Sequence, residues 1–150
     1  MEIKELGHVV LYVSDLLKSR NFYKNILGWR EIGNNGPRVG TAMFTTGRTH
    51  HELLLIEVGN EATGIPTGRR LGMYHFGLKI GTSDDELVAA IAELEAAGVA
   101  IVGLSDHTVT HSIYILDPDG NEIELYIDVQ PETWRKDPSA VLVPTKPLNI

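Results

Sequence analysis

The chain has 150 residues and a net charge of −7, with 13 Lys and Arg against 20 Asp and Glu, so it offers no basic surface for nucleic acid or an anionic membrane. It has no cysteine, which excludes disulfides, thiolate metal sites and cysteine nucleophiles. No apolar run approaches the ~20 residues of a membrane span, and the start, MEIKELGHVV, lacks the pattern of a signal peptide, so we expect one cytoplasmic domain.

The first half of the chain reads as a strand, a helix and three further strands. GHVVLYVSDLLKSRNFYKNILGWREIG (7–33) alternates through Val13 and then takes helical spacing. Ser14 or Asp15 can cap this helix, and Gly28 is placed to end it. The strand-like runs that follow are 29–32, 38–45 and 51–57.

The second half repeats this plan. In MYHFGLKIGTSDDELVAAIAELEAAGVAIVG (73–103) a strand runs through Ile80, Thr82 or Ser83 caps a helix over Leu87–Leu94, and Gly98 closes it. The strand-like runs that follow are 99–103, 112–116 and 122–127. The sequence therefore predicts an α+β domain of two tandem β-α-β-β-β modules. The predicted segments are module one at about 5–59, a linker at 60–72, module two at about 73–128, and a proline-rich tail of little regular structure at 129–150.

Three potential metal ligands share one face of the predicted strands. Side chains alternate faces along a strand, and the apolar positions should pack on the helices. This leaves His8, His75 and Glu124 on the helix-free face. Two histidines and one carboxylate match the facial triad that binds non-haem Fe(II) with open coordination positions. The alternative is that each is an ordinary polar residue on a half-solvated sheet.

Three stretches of the chain resemble a known superfamily. GHVVLYVSDLLKSRNFYKNILGW, YHFGLKI and YILDPDGNEIELY resemble the vicinal oxygen chelate proteins, which include glyoxalase I, bleomycin-resistance proteins and extradiol ring-cleavage dioxygenases. The resemblance covers residues 5 to about 128. It implies that the two modules form one cupped mixed sheet with the helices outside, and that His8, His75 and Glu124 hold a metal in the cup.

Within the resemblance, one leucine favours the dioxygenase branch of the superfamily. The strands of THHELLLIEV and DGNEIELYIDV align so that Leu54 stands opposite Glu124. Glyoxalase-like members generally take a fourth ligand at the Leu54 position, whereas extradiol dioxygenases use three protein ligands and leave sites for a catecholate and O2. The segment from His107 to Glu124 also follows the extradiol pattern of a histidine, an apolar-Tyr pair, D-P-x-G and the ligand Glu.

The resemblance implies an extradiol dioxygenase of the catechol 2,3-dioxygenase kind, which uses Fe(II), or Mn(II), and O2 to cleave an aromatic diol. In that comparison His51 is the acid/base, Tyr114 hydrogen-bonds a substrate oxygen, and His107 fixes the substrate or the oxygen. Strict alternation from Leu54 instead places His50 on the cup face, so the choice between the two histidines stays open. His107 can equally be an exposed loop residue, and Tyr114 can simply fill the sheet.

Two rival functions remain at this point. A glyoxalase-like isomerase or lyase would need a fourth ligand, with Glu52 as the candidate, and a binding protein of the bleomycin-resistance kind would need no metal. Many extradiol enzymes carry two module pairs, whereas this chain has one, and we expect a homo-oligomer. The choice of catechol depends on pocket shape, which would be set by 34–40, 60–72 and the tail.

Overall fold

The structure, a computed structural model, describes residues 1–33 and 38–150. The chain divides into two compact units, Met1–Ile65 and Pro66–Ile150, and each contains a four-stranded mixed sheet. This confirms the predicted α+β class and the tandem repeat of β-α-β-β-β modules. Of the predicted pocket loop 34–40, residues 34–37 lie outside the described part of the chain.

The first unit follows the predicted element order. Its strands, in the sheet order β1-β4-β3-β2, are β1 (Val9–Val13), β2 (Arg30–Glu31), β3 (Thr41–Thr45) and β4 (Leu53–Glu57). β1 runs parallel to β4, and the other neighbours are antiparallel. Between β1 and β2, helix α1 (Leu16–Arg20) continues as a π-helical segment, Asn21–Ile26.

The ends of this first helix show which of the predicted residues cap it. Asp15 is the N-cap, because its side chain accepts a hydrogen bond from the Lys18 backbone N at 3.1 Å. Gly28 follows the helical segment with φ +68°, a backbone conformation that glycine adopts without steric cost. In β1, Leu11 and Val13 are buried while Tyr12 is exposed, which confirms the predicted alternation.

The second unit repeats the arrangement with longer strands. Its elements are β5 (His75–Gly81), α2 (Asp84–Ala96), β6 (Ile101–Asp106), β7 (Thr110–Leu116) and β8 (Glu122–Asp128), with the sheet order β5-β8-β7-β6. Ser83 caps α2 in a capping box with Glu86. Alternate residues of β8, Ile123, Leu125 and Ile127, are buried, so Glu122, Glu124 and Tyr126 occupy the opposite face.

The prediction of a tail with little regular structure was wrong. The tail contains α3 (Pro131–Lys136) and a 3-10 segment, Pro138–Val141, and Lys146 forms an antiparallel β-bridge with Asp106 at the end of β6. Both helical pieces start with a proline, which suits the first helical position, but they are too short to show a hydrophobic period. Among the described residues, no helix is long and apolar enough to cross a membrane.

Candidate metal centre

Two of the three predicted ligands meet in the second unit. His75 opens β5, Glu124 lies on the parallel neighbour β8, and His75 Nε2 stands 3.4 Å from Glu124 Oε2. Two ligand atoms that each lie ~2.1 Å from one ion, at roughly a right angle, are about 3 Å apart. The spacing therefore fits two ligands of a single metal ion.

The second ring nitrogen of His75 faces another carboxylate. His75 Nδ1 is buried and lies 3.5 Å from Glu122 Oε1. Metal-binding histidines usually direct their other nitrogen to a carboxylate or carbonyl, which fixes the tautomer and the ring orientation. Glu122 therefore stands where such an outer partner belongs.

Tyr114 contacts Glu124 from the other side. It lies on β7 directly opposite Glu124 in the antiparallel register, and its hydroxyl donates a hydrogen bond to Glu124 Oε1 at 3.0 Å. Burial and the adjacent Glu124 carboxylate raise the pKa of Tyr114 to about 12. The hydroxyl therefore keeps its proton at neutral pH, and it holds Oε1 while Oε2 faces His75.

His107 extends this network into the tail. Its Nε2 lies 2.9 Å from the Tyr114 hydroxyl, and its Nδ1 lies 3.1 Å from Thr145 Oγ1. Because the Tyr114 proton is directed to Glu124, the tautomer that satisfies every contact has a proton on Nε2 and accepts from Thr145 at Nδ1. Thr145 could not be found from the sequence, since it lies in a segment without periodic pattern.

The hairpin that carries His107 is strained. Thr108 has φ +72°, the one positive φ outside glycine among the described residues, and its backbone N donates to Asp106 Oδ1 at 2.6 Å. A β-branched residue in this conformation costs on the order of 1–2 kcal/mol. The surrounding hydrogen bonds therefore hold the turn, and with it the direction of the His107 ring.

The third predicted ligand, His8, lies in the first unit with two more histidines. The His8 ring centroid is 4.5 Å from that of His51 and 6.0 Å from that of His50. Because β4 begins only at Leu53, neither His50 nor His51 belongs to the regular strand, and alternation does not decide between them. Burial, together with the charges of His50 and His8, lowers the pKa of His51, so its ring is neutral at pH 7.

The position that would hold a fourth ligand is apolar. Leu54 pairs with Val10 on one side and with Met43 on the other. The equivalent pairs in the second unit join Glu124 to Gly77 and Tyr114, which supports the alignment of Leu54 with Glu124.

The alternative fourth ligand, Glu52, is engaged elsewhere. Its carboxylate accepts hydrogen bonds from the backbone N of Thr46 at 2.9 Å and from the Thr46 hydroxyl at 2.7 Å. Although burial alone would raise the pKa of Glu52, these two hydrogen bonds lower it overall. Glu52 is therefore fixed at the β3–β4 turn, which disfavours a role as a metal ligand.

A family model for the Glyoxalase/Bleomycin resistance protein/Dioxygenase superfamily matches residues 5–125. The chain belongs to this superfamily. It is 32% identical over 136 residues to the catechol-2,3-dioxygenase of Bacillus subtilis, a match that covers 91% of this chain and 46% of that protein. The chain thus spans about half the length of this relative.

Other members of the superfamily are also similar. Over 127 residues the chain is 30% identical to glutathione transferase FosA of Serratia marcescens, covering 83% of this chain and 82% of that protein. A crystal structure of a glyoxalase/dioxygenase from Nostoc punctiforme has a TM-score of 0.69 at 23% identity, covering 85% of this chain and 92% of that one. This last match shows the fold alone.

The superfamily match leaves the ligand set as a prediction. Within the part of the chain that the structure describes, no group of three histidine or carboxylate side chains is arranged to hold a metal ion. The predicted set takes His8 from the first unit and His75 and Glu124 from the second.

Two polar residues of the second unit outside the predicted set have structural partners. His111 Nδ1 lies 2.6 Å from Asp84 Oδ1 at the start of α2. Asp117 accepts a hydrogen bond from the Asn121 backbone N at 2.8 Å in the turn before β8.

Proposed function

We propose that this chain is an extradiol ring-cleaving dioxygenase that depends on Fe(II) and O2 and acts on a catechol-type aromatic diol. The observation that carries the proposal is the continuous network from His75 through Glu124 and Tyr114 to His107. It combines a histidine and a carboxylate at ligand spacing with two proton-bearing groups beside them. The similarity to a catechol-2,3-dioxygenase supports the same reading.

The donor set suits a divalent iron. Imidazole and carboxylate are ligands that Fe(II) accepts, and three such ligands on one face leave positions free for a substrate. In the proposal His8, His75 and Glu124 hold the ion, with Mn(II) as a substitute. When bound, the metal would supply a Lewis acid that the two diol oxygens can chelate with a lowered pKa, and an open site for O2.

The residues around the centre then position the substrate and move protons. Tyr114 keeps its hydroxyl proton and donates a hydrogen bond, while His107, held by Thr145, presents Nε2–H to the same region. Because the Tyr114 proton is directed to Glu124, the Tyr114 oxygen accepts a hydrogen bond from a substrate hydroxyl, while His107 Nε2–H turns to negative charge on a substrate oxygen. In the first unit His51 is the neutral imidazole beside His8, and we assign it to accept a proton from the diol.

Two other functions of the superfamily make different predictions. A glyoxalase-like isomerase or lyase takes a fourth ligand, but here Leu54 lies between Val10 and Met43, and Glu52 is bonded to Thr46. A binding protein of the bleomycin-resistance kind has no need of a histidine and a carboxylate at ligand spacing.

The test is a metal analysis and a catechol assay on one anaerobically purified sample. The proposal predicts near-stoichiometric iron, O2 uptake and a yellow semialdehyde product, all lost in Glu124→Ala. Glu95→Ala, which removes an exposed carboxylate from α2, is the matched control and should behave as the wild type. Zinc or nickel without O2 uptake would instead identify an isomerase, and a protein without any affinity for metal would identify a binding protein.

A further inference from the structure

The second unit contains a cavity that runs past the candidate metal centre. Its volume is about 450 Å³, and it lies between the face of the sheet that carries Glu124 and the helical part of the tail. Three successive residues on that face of β8, Glu124, Tyr126 and Asp128, line it. Four strand positions correspond to ~13 Å, so the cavity extends well beyond the space that an unsubstituted diol at Glu124 would fill.

Two cations line the far end of the cavity, and each is paired with a carboxylate. Lys79, on β5, has its ammonium in contact with the Asp128 carboxylate, and the lysine side chain is 40% exposed while that of Asp128 is 8% exposed. Both residues line the cavity, and because an ammonium group has three N–H donors, this ion pair leaves donors of the more exposed Lys79 for a ligand. Arg135 on α3 also lines the cavity, and its side chain is 53% exposed. Its Nη1 lies 2.8 Å from Glu132 Oε1, and Glu132 is not among the residues that line the cavity.

Aromatic rings border the space between these charges and Glu124. Gly77 lies opposite Glu124 in the β5–β8 register, and a Cβ placed on it would stand 3.4 Å from both Glu124 Oε2 and Tyr126 Cε1. The Tyr126 ring therefore lies over this glycine and beside the Glu124 carboxylate. Trp134 borders the cavity from α3, with the Arg135 guanidinium 5.2 Å from the centre of its ring.

The spacing along the strands indicates the length of a ligand that would contact both Glu124 and Lys79. Lys79 lies opposite Tyr126, and Gly77 lies opposite Glu124. Lys79 is thus two residues, or ~7 Å, further along the sheet than Glu124. A benzene ring with one short substituent opposite the diol spans about that length.

We propose that this cavity is a specificity subsite for a carboxylate substituent on the aromatic diol. Lys79 binds the carboxylate, Arg135 adds a second cation at the opening, and Tyr126 and Trp134 contact the ring. The inference rests on the proposed function, because it takes the diol to lie at Glu124. It narrows the substrate class from catechols in general to catechols that carry an anionic side chain.

The test compares three catechols of equal length: one with a carboxymethyl group, its primary amide, and an aminoethyl analogue. For the wild type we expect kcat/KM for the acid to exceed that for the amide by about tenfold, the gain of one charge-assisted hydrogen bond, and the amine to be the poorest. In Lys79→Met/Asp128→Asn, which removes both charges of the pair and leaves neither buried alone, the ratio of acid to amide should fall to about one. Lys136→Met, which removes an exposed charge of α3 that does not line the cavity, should keep the wild-type ratio.

A binding measurement separates this inference from the proposed function. The chain has two tryptophans, so Trp29→Phe leaves Trp134 as a fluorescent reporter at the cavity, and the metal-free protein can be titrated with each compound. The inference predicts a Kd for the acid about tenfold below that for the amide. If the acid binds preferentially while no catechol is turned over, the subsite stands and the dioxygenase proposal fails. If catechols are cleaved but acid and amide have equal kcat/KM and equal Kd, or if the double variant retains the preference, the subsite is refuted.

Discussion

Substitution of Tyr114 by Phe removes one hydroxyl from the centre of the network, and with it the contacts to Glu124 and to His107. With a pKa of about 12, only ~1 in 10,000 of these hydroxyls is ionised at pH 8, so the wild-type group is a hydrogen-bond donor. Its partner is the Glu124 carboxylate at 3.0 Å. A hydrogen bond to a charged group contributes ~1.5–3 kcal/mol, and water can replace part of it because the Glu124 side chain is 17% exposed.

The net loss of about 1–2 kcal/mol should be seen in metal affinity. Without Tyr114 holding Oε1, the Glu124 carboxylate can rotate, and Oε2 no longer stays beside His75. We expect Tyr114→Phe to weaken binding of Fe(II) or Mn(II) by roughly 5–30-fold, which overlaps the loss of about 10–100-fold that is typical when an outer partner of a ligand is removed.

The assay is an anaerobic competition between metal-free protein and a chromophoric chelator. Tyr126→Phe is the matched control, because this tyrosine lies on the same face of β8 two residues from Glu124, and it should change the affinity by less than twofold. Equal metal affinities for wild type and Tyr114→Phe, with both variants folded by circular dichroism, would show that the hydroxyl does not orient a ligand.

Three further predictions concern the surrounding structure. Thr145→Val should lower kcat about tenfold with little change in KM, because His107 loses the donor at Nδ1. Thr145→Ser keeps a hydroxyl and should retain most of the wild-type kcat, and equal kcat values for all three proteins would argue against this role for the tail. Thr108→Gly should raise the free energy of unfolding by about 1 kcal/mol in urea, since glycine adopts φ +72° without strain, and a destabilised variant would contradict the inferred strain. Glu31→Gln should destabilise by ~1–3 kcal/mol at pH 7, because burial alone would raise the pKa of Glu31 but hydrogen bonds from two cations lower it. A lowered pKa stabilises the fold at pH values above the unfolded pKa of 4.5. In urea titrations the difference in free energy of unfolding between wild type and variant should therefore vanish as the pH falls through the folded pKa of Glu31. A free-energy difference that persists at lower pH would show that the ion pairs are not its source.

Much of this architecture could be predicted because local signals repeat. Alternation in β1 and β8 predicted which side chains face the core, since a strand with one buried face must place apolar residues at every second position. Caps and glycines located both main helices, although the sequence could not choose between Ser14 and Asp15. That choice depends on which side chain meets the Lys18 backbone N.

The parts that the sequence did not predict depend on contacts between distant segments. Thr145 is recognisable as a partner of His107 only once Lys146 pairs with Asp106 at the end of β6. Nothing in a proline-rich stretch specifies that pairing. The choice between His50 and His51 stays open for a different reason: alternation applies only inside a regular strand, and β4 starts two residues after His51.

The two modules place different chemistry at the same position of the same fold. In the first unit the central position of the sheet face is Leu54, with Val10 and Met43 as its neighbours; in the second it is Glu124, with Gly77 and Tyr114. A carboxylate on such a face needs a neighbour without a side chain to leave space and another that can donate a hydrogen bond, and the second unit supplies both. Leu54→Glu alone would therefore place a carboxylate between Val10 and Met43 with no hydrogen-bond donor from either neighbour. The metal affinity of this variant should be lower than that of Leu54→Glu/Met43→Tyr.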